Sequence, residues 1–79
     1  MNAPETDLSA CIRRMVKEYF HHLEGERCSS LHEMVLNSVE KPLIDVVLAQ
    51  CDNNQTRAAE ILGMNRTTLR KKMQRYQLL

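Results

Sequence analysis

Tryptophan is absent from this 79-residue chain, and Tyr19, Phe20 and Tyr76 are its only aromatic residues besides histidine. A core without large rings must be built from Leu, Ile, Val and Met, which suits helix packing better than a β-sandwich. Glycine occurs twice, at Gly25 and Gly63, so no glycine-rich loop can cradle a phosphate. The three cysteines, Cys11, Cys28 and Cys51, are far apart and form no Cys-x-x-Cys pair. A structural zinc site wants four ligands, usually in close pairs, and an odd cysteine count fits a reducing compartment better than a disulfide framework. No nucleophile–base constellation stands out, so neither an enzyme nor a cofactor or metal site is expected. No apolar run approaches the roughly 20 residues that span a bilayer, and no charged-then-apolar leader opens the chain. The expectation is a soluble, cytoplasmic protein with no membrane partner.

What the chain does have is segregated charge. Net charge is +1 overall. Residues 1–53 nevertheless carry five Lys/Arg against nine Asp/Glu, and residues 54–79 carry Arg57, Arg66, Arg70, Lys71, Lys72 and Arg75 against Glu60 alone. Such asymmetry between halves points to nucleic-acid or membrane partners.

The periodicity predicts an all-α fold of four helices. Residues 1–7 read as a disordered tail. Leu8, Ile12, Met15, Val16, Tyr19 and Leu23 recur at helical spacing, with Thr6 or Asp7 as the cap and Gly25 as a stop signal. Ser30 and Glu33 form a capping-box pattern. It opens a second helix whose candidate buried face is Leu31, Val35, Val39, Leu43, Val46 and Val47. The apolar phase continues beyond Pro42, which favours one long kinked helix over two helices broken at Lys41. "LIDVVLAQC" is apolar on nearly all sides, and a helix of that kind is covered on several sides. So small a domain buries only about 60% of its unfolded surface, and a second copy of the chain is the simplest cover. Residues 8–52 are therefore expected to form a helical dimerisation core.

Residues 53–79 read as a helix-turn-helix unit. "CDNN" is a turn in which Asn53 tolerates the left-handed conformation and Asn54 offers a capping oxygen. A short helix over Gln55 to Leu62 is followed by Gly63, which can take the positive φ of a sharp turn. Asn65 then caps a last helix running to about Tyr76. Ala59 is small where the two helices must approach, and Ile61, Leu62, Met64, Leu69 and Met73 are expected to fix their crossing from inside. Thr67, Arg70, Lys71, Gln74 and Arg75 fall on the opposite face and its flanks. A recognition helix inserts its N-terminal residues into the major groove. Arg66 is placed to read guanine and Asn65 an adenine edge. Lys71, Lys72 and Arg75 would meet phosphates, and Thr56 with the first amides of its helix is a second phosphate site.

The string "NNQTRAAEILGMNRTTLRKKMQRY" closely resembles the C-terminal helix-turn-helix of the Fis family of bacterial nucleoid proteins. "VKEYFHHLEG" and "LHEMVLNSVEKPLIDVVL", with its mid-helix proline, resemble that family's first two helices, so the likeness covers roughly Leu8 to Tyr76. The resemblance implies an intertwined homodimer whose first two helices from each subunit interlock into a four-helix core. It implies double-stranded DNA as partner, bent so that two closely spaced recognition helices enter adjacent major grooves, with A·T-rich deformability at untouched central pairs supplying part of the specificity. Nucleoid organisation, transcriptional regulation and contact with RNA polymerase follow as expectations. By motif, Arg66 matches the guanine-reading arginine and Asn65 its base-contacting neighbour. Asn54, Thr56, Thr68, Arg70, Lys71 and Lys72 match backbone-contacting or mixed positions, with Arg70 taken among the base contacts.

Two departures stand out. Enteric Fis proteins carry a longer N-terminal region forming a mobile β-hairpin arm that stimulates DNA invertases, whereas "MNAPETD" is too short for two paired strands, so that activity is not expected. "CDNN" replaces a basic residue and a glycine, and Asp52 should repel flanking phosphates and alter polymerase contact. Three other readings compete. One is the helix-turn-helix tail of an NtrC-type activator, against which the match of the first two helices counts. Another is a metal-binding module using His21, His22, His32 and the cysteines, which lacks paired ligands. The third is a protein-interaction module whose cationic helix docks acidic partners without reading bases.

Overall fold

The computed structural model of the protein describes residues 4–23 and 29–79. Four helices follow in order: α1 (Asp7–His22), α2 (Leu31–Gln50), α3 (Gln55–Leu62) and α4 (Arg66–Arg75). No strand occurs among the described residues. The Gly25 stop signal and Cys28 lie outside them.

Helix α1 begins where a cap is available. The Thr6 hydroxyl oxygen accepts the Ser9 amide at 3.0 Å, and Asp7 already belongs to the helix, one residue ahead of the apolar pattern. Helix α2 starts at Leu31 without the expected capping box. Ser30 sits in the left-handed region at φ 61, not the extended conformation a capping side chain needs, and makes no side-chain cap bond; Glu33 faces Arg75. The helix then runs unbroken through Pro42 for 20 residues, which settles the choice between one helix and two. Proline removes one backbone bond, and the apolar contacts on both sides of it outweigh that loss.

Three of the helices end in one way. After α2, the Asn53 amide donates to Leu48 O at 2.8 Å and Asp52 to Ala49 O at 3.2 Å. After α3, Met64 donates to Ala59 O at 3.0 Å and Gly63 to Glu60 O at 3.2 Å. After α4, Leu78 donates to Met73 O at 2.8 Å and Gln77 to Gln74 O at 3.2 Å. Each pair is a Schellman closure, which needs a residue at positive φ. Asp52 (φ 52), Gly63 (φ 76) and Gln77 (φ 59) fill that position. Gly63 was legible from sequence; the aspartate and the glutamine take the strained conformation because the following residue is anchored. Leu78, for example, packs on the core.

That core is small and lies at one end of the chain. Ile44, Leu48 and Cys51 of α2 and its end meet Ala58 and Ala59 of α3 and Leu69, Met73 and Tyr76 of α4 and its end, with Val47, Leu62, Met64 and Leu78 around them. The stripe 44–47–48–51 is one face of α2 at the spacing of a single helix side. Val47, expected in the dimer core, is half-buried against its own chain's α3–α4 unit. Ile61, expected inside the α3–α4 crossing, is 59% exposed, since its neighbours in phase, Ala58 and Leu62, already turn that side of α3 inward.

The other face of α2 is uncovered. Leu31, Val35 and Val39 are half-buried and Leu43 and Val46 exposed, while α1 has no buried residue at all. Between α1 and α2 runs an open apolar cleft of about 580 Å³, walled by residues such as Ile12, Val16, Val35 and Leu43. The radius of gyration, 15.4 Å, exceeds the roughly 12 Å of a compact chain of this length. The accessible surface of 6615 Å² likewise exceeds the roughly 4,900 Å² expected for a folded monomer of this mass.

Ile44 is fully buried and central to the α2–α3–α4 core. Ile44→Ala is expected to cost about 2–5 kcal/mol in chemical denaturation, while Ile61→Ala, at an exposed site, should fall within about 0.5 kcal/mol of the parent. Equal losses at the two positions would contradict this packing.

Candidate nucleic-acid interface

The interface is built from the two caps outward. Asn54 Oδ1 accepts the Arg57 amide at 3.1 Å and starts α3; Asn65 Oδ1 accepts the Thr68 amide at 2.7 Å and starts α4. Both caps hold their helix with the side-chain oxygen and leave the Nδ2 group, a pure donor, for other work. A bidentate Asn–adenine pair uses oxygen and nitrogen together. With its oxygen engaged in the cap, Asn65 has Nδ2 left to donate to an acceptor on a base or phosphate. Thr68 is half-buried behind this cap.

Asn65, Arg66, Thr67, Arg70, Lys71 and Gln74 are exposed along α4, while Leu69, Met73 and Tyr76 are buried beneath them. Arg70 Nη1 donates to Gln55 Oε1 at 3.4 Å, a long bond that nevertheless brings a guanidinium beside the first turn of α3. The structure thus joins Arg70 to the Asn54–Thr56 segment, whose amides precede the first helical bonds and carry the positive end of the helix dipole. Asn54 and Thr56 are both exposed there.

Lys72 and Arg75 do something sequence did not suggest. Lys72 Nζ donates to both carboxylate oxygens of Glu40, each at 3.0 Å. Arg75 Nη2 reaches Glu33 Oε1 at 3.2 Å and lies 5.8 Å from the Tyr76 ring centre. Both cations are turned back onto α2, away from the outward set of Arg66, Arg70 and Lys71. The Arg75 pair is largely solvated and worth little. The Lys72 pair is different, with side chains 28% and 26% exposed and a third partner in place.

That partner is Tyr76. Its hydroxyl lies 2.6 Å from Glu40 Oε1 and 3.1 Å from the Asn37 side-chain oxygen. A phenol has one proton, and the charged carboxylate at the shorter distance takes it. Turning the Asn37 amide over then presents Nδ2 to the phenol oxygen, which satisfies both groups. The hydrogen bond from Tyr76, with help from Lys72 and Arg75 against the opposing effect of burial, holds the Glu40 carboxyl below its ordinary 4.5. The same bond to Glu40 and burial raise the Tyr76 phenol above 10.0. Sequence reasoning missed Asn37 and Glu40 altogether. The signal was available: Glu33, Asn37 and Glu40 are the polar members of the stripe that continues as Ile44, Leu48 and Cys51.

His21, His22 and His32 are exposed, and no cluster of three metal-ligating side chains occurs among the described residues. No helix among them is long and apolar enough to cross a membrane.

Glu40→Ala is expected to destabilise the fold by about 1.5–3 kcal/mol, the range for hydrogen bonds to a charged group. Because folding lowers the Glu40 pKa, its stabilising effect is complete above the ordinary carboxylate value and disappears as pH falls through the lowered one. Urea denaturation across pH 2–6 should show an acid limb that is shallower in Glu40→Gln; identical limbs would contradict the assignment.

The chain is similar in sequence to known proteins. Residues 35–76 match the family of bacterial regulatory proteins described as the Fis family. A protein of Neisseria meningitidis serogroup A named as a Fis-like DNA-binding protein is 47% identical over 73 residues, covering 92% of each chain. One of Ralstonia nicotianae with the same name is 44% identical over 72 residues, covering 91% of this chain and 94% of its own. The DNA-binding protein Fis of Buchnera aphidicola is 46% identical over 70 residues, covering 87% of this chain and 71% of its own. The chain belongs to the Fis family.

Proposed function

We propose that this member of the Fis family is a homodimeric protein that binds and bends double-stranded DNA, acting in nucleoid organisation and transcriptional regulation in the bacterial cytoplasm. The observation that carries the reading is the outward face of α4. Asn65, Arg66, Arg70 and Lys71 are exposed on a helix whose opposite side is locked into the core. Arg66, in the first turn, is the guanine reader, Asn65 donates beside it, and Arg70 reaches base edges or backbone next to α3. Lys71, Thr68 and the Asn54–Thr56 segment grip phosphates. Lys72 and Arg75 belong to the flank of this set and are restrained by Glu40 and Glu33.

The uncovered apolar face supports the dimer. Leu31, Val35, Val39, Leu43 and Val46 on α2, with Leu8 and Met15 on α1, are left half-buried or exposed by the described residues. A second copy brings the same face, and the surplus surface is of the size an obligate interface removes. Two copies carry two recognition helices, and reading two grooves at a fixed separation lets DNA deformability contribute specificity without base contacts, with an A·T-rich centre as the easily narrowed segment. RNA polymerase is a further partner of the exposed loop at Asp52 and Asn53. The rival in which the cationic helix docks acidic proteins lacks any observation in its favour beyond charge.

Arg66→Ala and Lys71→Ala separate base reading from phosphate contact. In fluorescence titrations across a salt series, Arg66→Ala is expected to cost about 1–3 kcal/mol at a site with the outer guanine and little once that base is changed. Lys71→Ala should weaken every sequence alike and reduce the salt slope by about one unit. The same effect from both, on all sequences, would argue against groove reading.

A further inference from the structure

We propose that Glu40 and Asn37 are positioning residues that set the separation of the two recognition helices, by clasping the C-terminal end of α4 to the dimerisation helix through Tyr76 and Lys72. The inference rests on the DNA-bending reading above.

The clasp joins groups 32 to 39 residues apart in sequence. Its carboxylate accepts three bonds, one from Tyr76 at 2.6 Å and two from Lys72 at 3.0 Å. Apolar packing of Leu69 and Met73 holds α4 against α2 and α3 but is non-directional. Hydrogen bonds are not, since they weaken steeply with angle. Ile44 and Leu48 thus supply the attraction, and Glu40 with Asn37 supply the angle.

The lever is long enough to matter. Helix α4 has 10 residues, about 15 Å at the usual rise. Tyr76 marks one end and Arg66 the other. A swing of about 10° about the Tyr76 end carries the Arg66 end some 2.6 Å, against a base-pair step of about 3.4 Å. In a two-fold dimer both ends move, so the same swing changes the separation of the two guanidinium groups by up to about 5 Å, more than a base-pair step. Glu40 sits on α2, the helix whose opposite face is the proposed dimer surface, so the clasp refers each recognition helix to the dimer axis through one rigid element.

The test is a series of duplexes in which the two outer G·C pairs are separated by the preferred number of base pairs, one fewer or one more. The readout is the Kd at altered spacing divided by the Kd at preferred spacing, a ratio independent of the fraction of active protein. Tyr76→Phe keeps the ring and removes the hydroxyl; it and Glu40→Ala are expected to lower that ratio by roughly 2- to 30-fold, the span over which changes in a packed network alter coupling. Glu40→Gln, which keeps an acceptor for the phenol, should retain most of it. If Tyr76→Phe and Glu40→Ala raise Kd uniformly at every spacing, the clasp is only structural and the inference falls while the DNA-bending reading stands. A parent protein with no spacing preference at all would overturn that reading and the inference with it.

Discussion

Everything in this fold depends on α2 serving two surfaces at once. One face, Ile44, Val47, Leu48 and Cys51, is docked on α3 and α4. The other, running from Leu31 to Val46, is left apolar and uncovered. Only the narrow side carrying Ser38, Lys41 and Asp45 is left to solvent, and the polar residues that lie on the docked side instead have partners. Glu33, Asn37 and Glu40 extend the docked stripe toward the N-terminus, and all three meet the last turn of α4. The recognition helix is thereby referred directly to the helix that would form the dimer, in addition to the covalent path through α3 and the closed turns at Cys51–Asn53 and Gly63–Met64.

Electrostatics divides the basic half of the chain into two sets. Arg66, Arg70 and Lys71 face outward and pair with no carboxylate among the described residues, whereas Lys72 and Arg75 are matched by Glu40 and Glu33. An undivided run of cations along α4 would repel itself and would bind any polyanion. Matching two of them to α2 shapes the remaining potential into a narrower face and supports the fold at the same time. The depressed Glu40 pKa and the raised Tyr76 pKa are two expressions of one bond: each partner makes the other's interacting form more favourable.

Local features were the ones legible in sequence. Gly63 at its turn, the Asn54 and Asn65 caps and the bounds of α3 follow from short-range chemistry, and the chain supplied those signals within a few residues. Pro42 inside a continuous α2 was readable from apolar phase alone. What failed was anything that depended on tertiary competition. Ser30 and Glu33 match a capping box, but Ser30 takes the left-handed conformation and makes no cap bond, and Glu33 faces Arg75, 42 residues away. Val47 belongs by period to both apolar stripes of α2, and only the packing of α3 and α4 decides between them. Ile61 looks like core and is exposed because Ala58 and Ala59 already fill the close approach. At the candidate interface the exposure of Asn65, Arg70 and Lys71 on α4 was legible from helical period, whereas the pairing of Lys72 and Arg75 with Glu40 and Glu33 was not, since charge type is visible in a sequence and its partner is not.

The central claim, a dimeric protein that bends DNA, is tested most directly by gel mobility on circularly permuted fragments carrying one A·T-rich site flanked by G and C. Two chains per site, mobility that depends on the position of the site and loss of the complex at high salt are the expected result. A complex with one chain per site, or mobility independent of position, would contradict it.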